Sequence, residues 1–143
     1  MIVKSILSAK GSDVATIAPT ATLAEATKIL ADRKIGALLV TGAGGRLTGI
    51  VSERDIVRAL AEFGGGALQL PLTEVMTRKV VTCAPGDTVS VLMERMTAGK
   101  FRHLPVMDEG DLVGIISIGD VVKYRLTELQ FEQDAMRDYI QTA

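Results

Sequence analysis

Shifted by about 66 residues, the sequence falls onto itself: "VATIAPTATLAEATKILADRKIGALLVTGAGGRLTGIVSERDIV" lies over "VVTCAPGDTVSVLMERMTAGKFRHLPVMDEGDLVGIISIGDVV", with a one-residue gap at Gly45 and roughly a third of the positions identical. Two leaders also correspond, "VKSIL" (residues 3–7) and "LTEVM" (residues 72–76), each read as a short helical turn. Neither copy is long enough to bury its own apolar face, so the two must pack against each other.

The apolar period changes in the same order in both copies. A short β-rich run (residues 14–17; 80–83) closes on Ala-Pro, whose proline cannot donate to a strand ladder. Thr22 and Thr88 then sit at N-cap positions, ahead of Leu23, Ala26, Ile29 and Leu30 in one unit and Val89, Leu92, Met93 and Met96 in the other, all at helical spacing. Two apolar strands follow (35–40 with 47–51; 101–107 with 112–116), joined by the turn sequences "TGAGGR" and "DEGD". A last helix starts just after Ser52 and Ser117. The expected fold is α/β (α+β): two β-α-β-β-α repeats, related by a pseudo-twofold axis and packed through their small sheets. The expected divisions are residues 1–62, a connecting loop at 63–71 whose three glycines have no helical or strand use, 72–126, and a C-terminal helix at 127–143.

Composition narrows the function. The 16 Lys and Arg and 17 Asp and Glu are interspersed, leaving a net charge of −1, which argues against nucleic acid and anionic membranes as partners. No apolar run approaches the ~20 residues of a membrane span, and "MIVKSILSAKG" lacks the extended apolar region of a signal peptide, so a cytoplasmic protein is expected. The single cysteine, Cys83, allows neither an intrachain disulfide nor a multi-cysteine metal site.

Each last strand ends in a Ser-x-x-Asp segment, Ser52 with Asp55 and Ser117 with Asp120. One reading is a capping box, serine accepting a first-turn N–H while the acid accepts the N-cap N–H. The other uses the same place as a ligand site. Free N–H groups and the helix dipole attract phosphate, the serine hydroxyl adds a hydrogen bond, and the carboxylate accepts from a ribose diol. Arg102 and His103, in "FRHLPV", stand where the first unit has Gly36 and Ala37. A cationic pair there would clamp an anion, the alternative being a solvated arginine beside a packed histidine. Arg54 is the first unit's extra cation, opposite Gly119 of the second.

The order of elements, the "G-I-[V/I]-S-x-x-D" segments, the "FRHLPV" strand and the "VMT" leader resemble a cystathionine-β-synthase-type (CBS) domain pair, or Bateman module, over residues 3–126. "GALLV", "SERDIVRAL" and "SIGDVVK" resemble the free-standing bacterial proteins that consist of such a pair. The resemblance implies adenosyl ligands (AMP, ADP, ATP, NAD(H) or S-adenosylmethionine) in two clefts between the repeats, no required cofactor, and a homodimer acting on an unknown protein target. It implies ribose binding by Asp55 and Asp120 and phosphate binding by Ser52, Arg54, Arg102, His103 and Ser117. Adenine would lie on Thr16, Ile17 and Ala18 or on Thr82, Cys83 and Ala84, although Cys83, as the repeat mate of Ile17, also reads as a small buried apolar residue. In a regulatory kinase subunit of this family the basic strand of one repeat faces the aspartate of the other. Carried over, Arg54, Arg102 and His103 converge on Ser52 and Asp55, and the Asp120 cleft is left poorer in positive charge.

Catalysis is not expected. G-x-S-x-G, Walker and G-x-G-x-x-G sequences are absent, and one histidine cannot serve two matched sites. A nucleotide-binding regulatory module is the expected function, with a ligand-free scaffold as the alternative. The tail has apolar residues at 122, 126, 129, 136 and 140, a near-heptad stripe interrupted by Gln133, suited either to its own domain or to a second subunit.

Overall fold

The computed structural model describes residues 2–142. In the first repeat β1 (Thr16–Ile17), α2 (Leu23–Arg33), β2 (Ala37–Thr41), β3 (Leu47–Ser52) and α3 (Glu53–Phe63) follow the expected order, behind the leader helix α1 (Val3–Lys10). The second has the leader α4 (Leu72–Val75), then α5 (Val89–Gly99), β4 (His103–Asp108), β5 (Asp111–Ser117) and α6 (Ile118–Thr142). Thr22 caps α2 with a full capping box: its hydroxyl accepts from Glu25 N–H at 3.2 Å, and the Glu25 carboxylate accepts from Thr22 N–H at 3.1 Å. Thr88 accepts from Val91 N–H at 3.2 Å at the start of α5. The β4–β5 turn needs left-handed backbone at both Glu109 (φ 50°) and Gly110 (φ 86°), the geometry of a two-residue hairpin.

The sheets are not identical. β1 pairs parallel with β2, and β2 pairs antiparallel with β3, whereas β4 and β5 form a two-stranded ladder. The run expected as a strand at 80–83 shrinks to one bridge, Cys83 to Val106, with Cys83 N–H donating to Pro105 O at 2.9 Å and Met107 N–H to Cys83 O at 2.8 Å. Pro85, two residues on, stops the ladder there.

The leaders are exchanged. Val3 and Ile6 of α1 are buried with Leu92, Met96, Leu104 and Ile116 in the core of the second repeat, while Leu72 of α4 joins Leu23, Leu30, Leu38 and Val51 in the core of the first. Backbone bonds fix the exchange, from Val3 N–H to Asp87 O and from Leu72 N–H to Ala21 O, both at 2.9 Å. Glycine makes the contact possible: a Cβ on Gly49 would lie 2.6 Å from the Met76 sulfur, and one on Gly114 would lie 2.6 Å from Leu7 Cδ2. The divisions at 62 and 72 therefore follow the chain but cut through both cores.

Two more expectations change. The connection at 63–71 contains a 3-10 helix, Gly64–Gln69, because Gly64 (φ 67°) turns the chain out of α3 and Ala67 is then fully buried in the first core. The tail is no separate helix: α6 runs unbroken for 25 residues from Ile118, with Val121 buried, Tyr124 packed against the second core and residues 129–142 exposed. No helix among the described residues is long and apolar enough to cross a membrane.

Candidate functional site: two clefts between the repeats

Two clefts of about 510 Å³ each lie where the repeats meet, a volume suited to a nucleotide-sized ligand. One is lined by Ser52 and Asp55 from the first repeat and by residues 79–81 and 99–103 from the second. The other takes Ser117 and Asp120 from the second repeat, Asp13, Ala15 and residues 33–37 from the first, and Lys10 of α1. The lining crosses between repeats because each Ser-x-x-Asp helix start faces the opposite repeat. Within each repeat the helix start is tied to the residue just before its own hairpin, with Glu53 N–H donating to Gly36 O at 3.1 Å and Ile118 N–H to Arg102 O at 2.8 Å. Those bonds also use the first N–H of α3 and of α6, so the anion site expected at each helix start has one free donor fewer.

The two aspartates differ. Asp55 is buried, 2% exposed, and both oxygens are taken. Oδ2 accepts from Ser52 N–H at 2.8 Å and from Ser52 Oγ at 3.0 Å, and Oδ1 accepts from Thr77 Oγ1 at 2.8 Å and from Arg58. A carboxylate only accepts, so the Ser52 hydroxyl proton is committed to it. Asp120 is more open. Its Oδ2 accepts from Ser117 N–H at 2.9 Å and from Lys10 Nζ at 2.6 Å, while Oδ1 has no hydrogen-bond partner among the described residues. Ser117 Oγ accepts from Asp120 N–H at 3.1 Å, closing the capping box. Burial pushes the Asp120 carboxyl up, but the Lys10 ammonium and the N–H and hydroxyl of Ser117 outweigh it and hold the group below its ordinary range.

Arg54, Arg102 and His103 do line the Asp55 cleft, together with Arg58, Lys79 and Lys100, against the carboxylates Glu53 and Asp55. The Asp120 cleft holds Lys10, Arg33 and Lys34 against Asp13 and Asp120. Cations exceed carboxylates by more in the Asp55 cleft than in the Asp120 cleft, which is itself far from bare. Sequence reasoning missed Lys10, Thr77 and Arg58. Arg58, three residues after Asp55, is an ordinary helical ion-pair spacing, and Thr77 has a hydroxyl counterpart in Ser8 of the first leader. Lys10 gave no signal, because only the leader exchange carries it to Asp120.

Thr16, Ile17, Ala18, Thr82, Cys83 and Ala84 line neither cleft, which begin a few residues upstream at Asp13 and Ala15 and at Lys79, Val80 and Val81. Cys83 is buried in the second core, where burial pushes its thiol up to about 11. No group of His, Cys, Asp and Glu among the described residues could hold a metal ion.

His103 lines both clefts, its ring packed so that a Cβ on Gly36 would meet it at 3.2 Å. Burial lowers its pKa below the ordinary 6.5, against the upward pull of Asp120 and Glu53, and Lys10 and Arg102 add to the lowering. The unfolded chain therefore takes up this proton before the folded one, and the stability that neutral His103 contributes is lost as pH falls below about 6.5. His103→Gln is expected to flatten the decline in stability between pH 7.5 and 5.5 measured by urea unfolding.

The family model for the CBS domain matches residues 3–62 and 72–127, and the chain belongs to that family. It is 49% identical to the CBS-domain containing protein ATU1752 from Agrobacterium tumefaciens, whose crystal structure superposes with a TM-score of 0.85 over 87% of this chain and 92% of that one. CBS domain protein PAE2072 from Pyrobaculum aerophilum, solved as a complex with AMP, is 30% identical with a TM-score of 0.74 over 84% of this chain and 89% of that one. The mitochondrial CBS domain-containing protein CBSX3 of Arabidopsis thaliana is 33% identical over 124 residues, and the alignment takes in 84% of this chain and 60% of that protein's length.

Proposed function

We propose that the protein is a regulatory module that binds an adenine nucleotide, AMP, ADP, ATP or NAD(H), in the clefts between its repeats and signals by a change of conformation or assembly. The observation that carries this reading is the lining of each cleft by both repeats, so that any ligand there bridges them and favours whichever arrangement it binds better. The AMP complex of PAE2072 supports the ligand class. In this reading Asp120 takes the ribose and Ser117 the phosphate. Asp55 and Ser52 hold the equivalent places, beside Arg54, Arg102 and His103, but must first give up their internal bonds. Adenine lies against the segments entering the first strand of each repeat. The protein acts in the cytoplasm as a homodimer, without catalysis, on a protein target.

Ligand binding only the folded state adds RT ln(1 + [L]/Kd), about 2.7 kcal/mol at a hundredfold excess over Kd. AMP at millimolar concentration is expected to raise the melting temperature, and adenosine to raise it less, because adenosine offers nothing to Ser117 and the cleft cations. Equal shifts would contradict the phosphate contacts. No shift with AMP, ATP or NADH would favour the second reading, a scaffold whose clefts stay empty, for which the saturated Asp55 is the supporting observation.

A further inference from the structure

One face of α6 is without a mate among the described residues. Val122, Leu126, Leu129, Met136 and Ile140 are 43–67% exposed, and with Gln133 they step along the helix by 4, 3, 4, 3 and 4 residues. That is an unbroken heptad seam roughly 27 Å long, with Gln133 at one central position. Under three heptads is short for a free coiled coil, but this one is anchored through Val121 in the second core, which lowers the entropy lost on pairing.

Flanking charges decide the direction. Glu132 and Arg137 occupy the positions beside the seam that meet across a parallel, in-register pair, and neither has an ion-pair partner among the described residues. Parallel pairing sets Glu132 against Arg137 of the second copy on both sides and stacks Gln133 on its own counterpart, where two amides can bond. Antiparallel pairing, with Leu126 across from Met136, would set Glu132 against Glu132 and Lys123 against Arg137, which repel. We infer that α6 of one copy pairs with α6 of a second copy of this chain as a parallel, in-register two-stranded coil, with Gln133 at its polar layer and Glu132 bonding Arg137 across the seam. Phe131, 76% exposed on the outer face, is not explained by this arrangement. The inference rests on the homodimer in the proposed function and adds its geometry.

Full-length Gln133→Cys should form an interchain disulfide on mild oxidation in most of the chains, while the wild type, whose single thiol is buried, should not. By sedimentation equilibrium, Glu132→Arg should weaken the dimer about tenfold, and Glu132→Arg with Arg137→Glu should restore it to within about twofold. These side chains are exposed, so circular dichroism should be unchanged. A monomeric wild type at tens of micromolar would overturn the inference, as would a charge swap that fails to restore the dimer. So would cross-linking of Leu126→Cys with Met136→Cys in place of Gln133→Cys, which means an antiparallel pair, or of Leu129→Cys with Val57→Cys, which means that α3 of the second copy covers the seam. The AMP thermal shift, measured on the same variants, is independent of all of these outcomes, so loss of one reading is distinguishable from loss of the other.

Discussion

Asp120→Asn is expected to weaken AMP binding by about 10- to 100-fold and to change folding stability little. Asp120 lines the cleft and its Oδ1 has no hydrogen-bond partner among the described residues, so a ribose hydroxyl bonding that oxygen would break nothing already made. Removing the charge while keeping one carbonyl acceptor forfeits a charge-assisted bond of roughly 1.5–3 kcal/mol, which is that range in affinity. The folding side is small for a physical reason. Lys10 and Asp120 keep 29% and 23% of their side-chain surface exposed, and a pair in that setting contributes about 1 kcal/mol or less. Isothermal titration calorimetry with AMP, beside urea unfolding, separates the two effects.

Asp55→Asn is expected to do the reverse, lowering stability by about 2–4 kcal/mol and the melting temperature by on the order of 10 °C, while AMP affinity in the Asp120 cleft is retained. Four donors converge on this buried carboxylate, from Ser52 N–H, Ser52 Oγ, Thr77 Oγ1 and Arg58. An amide offers one acceptor and one donor group, so whichever way it turns, one pair of donors faces N–H instead of oxygen. Thr77 carries the link between repeats, since it follows α4 and pairs with Ile50 through two backbone bonds of 2.9 and 3.0 Å. Thr77→Val should reproduce about 1 kcal/mol of the loss, one neutral donor's share.

Much of this was legible in the chain. The repeat gave the element order, because apolar spacing changes period at the same places twice, and the cap residues Thr22 and Thr88 stand where local hydrogen bonding puts them. The facing of each Ser-x-x-Asp segment by the opposite repeat comes from the family resemblance, not from the spacing of the residues. What escaped was whatever depends on non-local packing. The exchange of α1 and α4 brings Lys10 to Asp120 and Thr77 to Asp55 from over 20 residues away along the chain, and no local pattern encodes it. The family resemblance places adenine on Cys83 and Ile17, while the repeat alone reads Cys83 as a small buried apolar residue. Both side chains pack into the cores, and the clefts are lined by residues just before them.

Sequence equivalence suggests that the two aspartates act alike, and the structure separates them into a carboxylate held by the fold and one with an open oxygen. The contrast bears on the clefts as a whole. The cation-rich cleft is the one whose serine and aspartate are committed to each other, so a ligand entering there must compete with Arg58 and Thr77. The other cleft asks for no such rearrangement.

The central claim, that an adenine nucleotide binds between the repeats with its ribose on Asp120, is tested most directly by titrating AMP calorimetrically into the wild type, Asp55→Asn and Asp120→Asn, each first shown to be folded by circular dichroism. The account predicts saturable binding to the wild type, near-wild-type affinity in Asp55→Asn, and a 10- to 100-fold loss in Asp120→Asn. Equal affinities in the wild type and Asp120→Asn, or no binding of AMP to the wild type at millimolar concentration, would contradict it.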